Sequence, residues 1–249
     1  MSTLSELFLG DDPIPVGTRI GDVIHGLRFG GADPSEALDD MQRVVEAAGA
    51  CLDNVAQVSF FVKDAALLKT INPAWLRVFP NDDDRPTYKF MTADLPAERL
   101  LHLEFFAIAN QRRRLLHIPN VAHTNPIPMG VRIGSYVFSS RVLPYDAETG
   151  QPPEGVERQA QCLFQNVRTL LDVAGAKPVH ITQARLFLYD PSTLAIAERS
   201  WKELISSAPP PLHVTHYTLA PSLRVMLEFI AVVPPEFHQS MSSSGPCNS

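Results

Sequence analysis

The sequence predicts two tandem copies of one small α+β domain. Two observations carry that expectation: an ordered internal repeat, and the same alternation of strand and helix patterning inside each copy. Asp12–Gly21 (DPIPVGTRIG) recurs as Asn125–Gly134 (NPIPMGVRIG), at an offset of 113. Farther on, Ala48-Gly49-Ala50 recurs as Ala174-Gly175-Ala176, Asp64 as Asp190 and Trp75 as Trp201, all at an offset of 126. Leu103-Glu104-Phe105 then matches Leu227-Glu228-Phe229 at an offset of 124. The changes in offset place a longer loop in the second copy around Asp146 to Glu154, and a small deletion near Ser207 to Pro211. The expected boundaries are 1–112 and 113–238, with a Ser/Gly-rich tail at 239–249 that frays.

Each copy reads in the same order. A strand follows the Ile-Gly pair, over Asp22–Phe29 and Ser135–Leu143. In the first copy Asp33 suits an N-cap, Pro34 the first helical position, and Glu36 the far corner of a capping box. Leu38, Met41, Val45 and Ala48 then recur at helical spacing, and Gly49 stands where a helix end takes positive φ. Ala160, Leu163, Val167, Leu170, Ala174 and Gly175 repeat the pattern in the second copy. Strands rich in β-branched and aromatic residues follow at Val55–Val62 and Ile181–Leu188. Second helices carry Trp75 and Trp201, which read as core anchors. Two strands close each copy, the last over Leu100–Ala109 or Leu223–Val233. The result is a mixed sheet with two helices on one face. Something must cover the other face, and partner domains are the economical cover.

Composition narrows the function. Hydrophobic residues make up 45% of the 249 and charged residues 19%, enough apolar material for two cores. A net charge of −6 gives no field for phosphates, so nucleic-acid binding is not expected; Arg112-Arg113-Arg114 reads as a solvated connector. Cys51, Cys162 and Cys247 show no C-x-x-C spacing and no disulfide framework, which suits a reducing cytoplasm. There is no basic-then-apolar leader and no bilayer-length apolar run, so neither secretion nor a membrane is expected. The eight histidines include no H-E-x-x-H pair; His213 and His216 fall on opposite faces of a strand, and no metal or other cofactor is expected. No P-loop, dinucleotide or Gly-x-Ser-x-Gly fingerprint is present.

The unit resembles the RidA/YjgF/YER057c/UK114 family of reactive-intermediate deaminases. The resemblance rests on EAAGACLDNVAQVSFFVKD at Glu46–Asp64 and DVAGAKPVHITQARLFLYD at Asp172–Asp190, then Trp75 or Trp201, Pro96 or Pro221, and LEFFAIA or LEFIAVV. It implies a chorismate-mutase-like fold, a homotrimer with pockets between neighbouring domains, and hydrolysis of enamines or imines to a keto acid and ammonia. It also implies an arginine after Pro-x that grips the substrate carboxylate, and a glutamate on the last strand that orients water or moves protons.

The glutamate is present twice, as Glu104 and Glu228, alternating with apolar neighbours. Acid/base catalysis and a salt-bridged structural role are both open for it. The arginine is absent. Counting along Pro86-Thr87-Tyr88 and Pro211-Leu212-His213 puts Tyr88 and His213 in its place, and neither offers arginine's bidentate grip. Arg28 and Arg141 repeat at the end of the first strand and are candidates to hold an acidic group; Arg85 stands near the lost position. Arg19 and Arg132 repeat before a turn and read as structural. His102 shares a strand face with Glu104. The expected function is a hydrolase of a labile C–N intermediate, with Glu104 or Glu228 activating water and Tyr88 and His213 shaping specificity. A non-catalytic metabolite-binding or scaffold protein and a chorismatase-like enzyme stand as alternatives. The partner in each case is a small carboxylate-bearing molecule.

Overall fold

The computed structural model describes residues 4–205, 210–218 and 221–234. The expected fraying tail at 239–249, Cys247 and part of the expected deletion near Ser207 lie outside the described residues. The chain divides into two compact units, the first built on residues 4–114 and 125–127 and the second on 115–124 and 128–234.

The first unit contains β1 (Leu4–Leu7), β2 (Gly17–Ile20), β3 (Val23–Gly31), α1 (Pro34–Ala47), β4 (Val55–Val62), α2 (Leu68–Val78), β5 (Thr87–Thr92) and β6 (Leu101–Ile108). The second sheet and its helices comprise β7 (Arg114–Leu116), β8 (Gly130–Ile133), β9 (Tyr136–Ser139), α3 (Val156–Ala174), β10 (Ile181–Leu188), α4 (Leu194–Leu204), β11 (Leu212–His216) and β12 (Val225–Val232). Among the described residues each sheet has six strands. Their orders are β1-β2-β3-β6-β4-β5 and β7-β8-β9-β12-β10-β11, so the repeat in sequence is a repeat in topology. Each sheet is mixed: β4 runs parallel to β5 and β10 to β11, while β6 and β12 pair antiparallel with their neighbours.

Strand alternation sorts the side chains. In the first unit Leu101, Leu103, Phe105 and Ala107 of β6 are buried together with Val58 and Phe60 of β4 and with Leu38, Met41, Ile71 and Trp75 from the helices. In the second, Leu186, Leu227 and Phe229 meet Leu163, Val167 and Trp201. Both tryptophans are core residues.

The helix ends explain several repeated residues. Asp33 caps α1 as expected, but its carboxylate accepts from Ser35 N at 2.8 Å, one residue short of Glu36. Gly49 and Gly175 take φ of +74° and +67° just past α1 and α3. Arg19 Nη1 donates to Ala48 O, and Arg132 Nη1 to Ala174 O at 2.6 Å. These arginines therefore bind the orphan carbonyls of a helix C-terminus, where a cation also suits the helix dipole.

One expectation changes. The strand expected over Ser135–Leu143 ends at Ser139, with one isolated bridge from Val142 to Leu227. Ser139 Oγ, at 2.7 Å, takes the Phe229 N–H that a continued ladder would use. Cys162 is a free thiol. Among the described residues no helix is long and apolar enough to cross a membrane.

Candidate functional site

The strand glutamates define the site. Their apolar neighbours face the helices, so Glu104 and Glu228 lie on the opposite sheet face. A row of three register partners crosses each sheet there. In the first unit the row is Lys89 on β5, Ser59 on β4 and Glu104 on β6. In the second it is His213 on β11, Arg185 on β10 and Glu228 on β12.

A bulge stands beside each glutamate. Between the pairs Gly26–Phe105 and Phe29–Leu103, β3 carries two residues, Leu27 and Arg28, where β6 has only Glu104. The extra residue bends the strand and re-aims a side chain. Arg28 takes a left-handed φ of +71° and its side chain is exposed. In the second unit Ser139, Ser140 and Arg141 lie between the pairs Phe138–Ile230 and Val142–Leu227, so Arg141 stands at the matching place. Its guanidinium turns inward and lies 4.0 Å over the Phe187 ring.

The surroundings of the two carboxylates differ. Glu104 Oε1 is 3.5 Å from His102 Nε2, with side-chain exposures of 32% and 19%. The hydrogen bond from His102 holds the Glu104 carboxyl below its ordinary value against burial, helped by the charges of His102, His25 and Lys89. His25 stacks on Phe106 at 4.2 Å with an interplanar angle of 6°. Burial lowers its pKa and Glu104 opposes that. Glu228 Oε1 is instead 3.2 Å from Arg185 Nη1, and its side chain is only 6% exposed. Burial lowers the Arg141 pKa, while Glu228 and Tyr217 pull it up. Tyr217 stacks edge-on against Phe187, and burial raises its phenol above the ordinary value. Behind Arg141, burial pushes His123 down to about 4. Ser140 Oγ donates to Met129 O at 2.8 Å, so His123 Nε2 is the donor in the 2.6 Å contact with Ser140 Oγ.

The remaining candidates separate clearly. Tyr88 does not reach this face. It pairs with Val58, packs edge-on against Phe60 and Trp75 in the core, and donates its hydroxyl to Asn72 Oδ1. Burial raises its phenol pKa above the ordinary value. The register equivalent of His213 is Lys89, and that of Tyr88 is Leu212. His213 lies on the glutamate face, exposed, with Arg185 between it and Glu228. Arg85 is structural: it donates to Phe79 O at 2.9 Å and Pro80 O at 2.7 Å, holding the turn after α2. The second unit thus brings together Glu228, Arg141 and Arg185. The first brings together Glu104, His102, His25 and Lys89 and leaves Arg28 turned outward. Arg185, Lys89 and Tyr217 had no motif to flag them. Among the described residues no group of three His, Cys, Asp or Glu is placed to hold a metal ion. A cavity of about 510 Å³ lies elsewhere on the first unit, among Glu46, Asp53, Phe79, Asp84 and Arg113, and includes none of these residues.

Residues 120–233 match the family described as Endoribonuclease L-PSP. The 2-iminobutanoate/2-iminopropanoate deaminase of Salmonella typhimurium is 31% identical over 81 residues, 32% of this chain and 63% of that protein. The putative reactive intermediate deaminase TdcF of Escherichia coli is 31% identical over 78 residues, 31% of this chain and 60% of that protein. The matches therefore span less than two thirds of these relatives. The crystal structure of the YjgF gene product from E. coli aligns at 23% identity over 48% of this chain and 98% of that one, with a TM-score of 0.45. The matched segment lies in the second unit and the first repeats its motifs and strand order, so the chain carries two similar units in tandem, the second of which matches this family.

Proposed function

We propose that the chain is a hydrolase that deaminates an imine or enamine intermediate. One of the two strand glutamates takes a proton from water as the water oxygen bonds to the C=N carbon. The π pair moves to nitrogen and the proton follows it. The carbinolamine then breaks its C–N bond, giving a carbonyl compound and ammonia. One imine and one water are consumed, and an enamine enters after protonation at carbon. The carrying observation is a glutamate at the same position of the last strand in both units, on the face away from the helices, with a cation-bearing bulge beside it. A carboxylate so placed suits a general base, and Arg28, Lys89 and Arg141 suit a substrate that bears a carboxylate. The names of the deaminases it resembles point the same way.

The test uses 2-iminobutanoate and 2-iminopropanoate, made in situ by an amino-acid oxidase acting on 2-aminobutyrate and alanine. The protein is expected to speed release of the 2-oxo acid over the spontaneous rate. The double variant Glu104→Gln/Glu228→Gln is expected to lose at least about 100-fold of that acceleration. A double variant as active as the parent would remove the glutamates from the mechanism.

A further inference from the structure

The two glutamates occupy equivalent register positions but have opposite chemical surroundings. The difference sits in the middle of the row, where Ser59 of β4 corresponds to Arg185 of β10. A neutral hydroxyl leaves the neighbouring carboxylate able to change charge. A guanidinium does not, because arginine stays protonated at any pH the fold survives. Glu228 is enclosed at 6% exposure with Arg185 at 3.2 Å, and Arg141 adds a second cation from the bulge. The Arg185–Glu228 ion pair is half-buried, with the carboxylate on its enclosed side. Such a group is a poor proton carrier.

Glu104 differs in each respect. A third of its side chain is open to solvent, and its partner is an imidazole and not a guanidinium. The charged and titratable groups facing it are His102 from its own strand, His25 from β3 and Lys89 from β5; β4 contributes neutral Ser59. The carboxylate is therefore open to solvent and has no guanidinium locking its charge.

We propose that Glu104 of the first unit is the working proton-transfer residue, that His102 positions it, and that Glu228 of the second unit is a structural anion held by Arg185. This assignment rests on the hydrolytic reading above. It makes His102 a positioning residue, because it acts on the substrate only through Glu104.

The experiment compares the full-length parent, Glu104→Gln, the double variant Arg185→Met/Glu228→Leu, and His102→Gln on 2-iminobutanoate across pH. Glu104→Gln is expected to lose about 100-fold or more in kcat/KM. The double variant, which removes both charges of the ion pair together, is expected to stay within about 3-fold of the parent. His102→Gln withdraws a group that lowers the Glu104 pKa, so the acid limb of its pH profile is expected to move to higher pH. A purely structural histidine would lower activity without moving the limb. In parallel, carbon-13 NMR of glutamate carboxyls follows Glu104 and Glu228 directly in parent and His102→Gln protein. The Glu104 titration is expected to move up and that of Glu228 to stay unchanged. Absence of turnover by the parent would sink the hydrolase reading alone, since the NMR titration still tests the pairing. Activity that survives Glu104→Gln and is lost in the double variant would overturn the assignment, as would a Glu104 titration indifferent to His102. If the double variant does not fold, the NMR titration and the single Glu104→Gln variant decide.

Discussion

Tyr88 and Lys89 are neighbours in sequence and point to opposite sides of the sheet. The Pro-x count selects Tyr88, and the register selects Lys89 as the β5 side chain in the row with Glu104. An error of one residue reverses the side of a strand, so counting along a motif cannot settle which side chain meets the carboxylate. The same limit hid Arg185: within β10 it is one polar residue in an alternating strand, and its partner Glu228 is 43 residues away. Glu104 and Glu228 themselves were legible, because a charged residue between apolar ones announces its own face. Tyr88→Phe tests the correction. It removes one hydroxyl that donates to Asn72 Oδ1. A loss of about 1 kcal/mol in unfolding free energy is expected, with turnover unchanged. Thermal denaturation reads the first, the imine assay the second, and a large loss of kcat in a folded variant would return Tyr88 to the site.

The bulge in β3 beside Glu104 rests on Gly26. A Cβ there would sit 2.0 Å from Cε1 of Phe105, a buried ring packed against Phe29. The matching residue in the second unit, Ser139, has room for a hydroxyl that accepts the Phe229 N–H. Gly26→Ala is expected to destabilise the protein by roughly 1–3 kcal/mol through overpacking, with Ser139→Ala losing a buried acceptor instead. Urea midpoints would measure both, and an unchanged midpoint for Gly26→Ala would show that the ring moves aside at little cost. Helices and strands were readable at this scale because their periodicity and caps are local. The bulges were not, since no turn residue marks them: the bulged positions in β3 are Leu27 and Arg28, residues that fit a regular strand.

For the molecule as a whole, each unit has one face under two helices and one face that ends in side chains of mixed character. In the first unit His25, Phe61, His102 and Phe106 are half-buried on that second face, with rings in contact. Such a face is well suited to another copy, and we propose a homotrimer in solution. Sedimentation velocity is expected to give the mass of three chains; a single-chain mass at micromolar concentration would exclude it. The tandem arrangement was the most legible property of the sequence, because a repeat needs no physical model to be seen. Which residues lie abreast across three strands was not legible, because that depends on strand register.

The row that crosses each sheet has a further consequence for how such a chain can diverge. Its middle residue belongs to a strand whose backbone ladder is complete whichever side chain it bears, as Ser59 and Arg185 show. One codon at that place can retire a carboxylate from chemistry, or return it, while the fold is inherited unchanged. On the proposed assignment, a duplicated unit can become a scaffold for its twin by drift at a single position, and the covalent chain would then hold the ratio at one working half for every silent one.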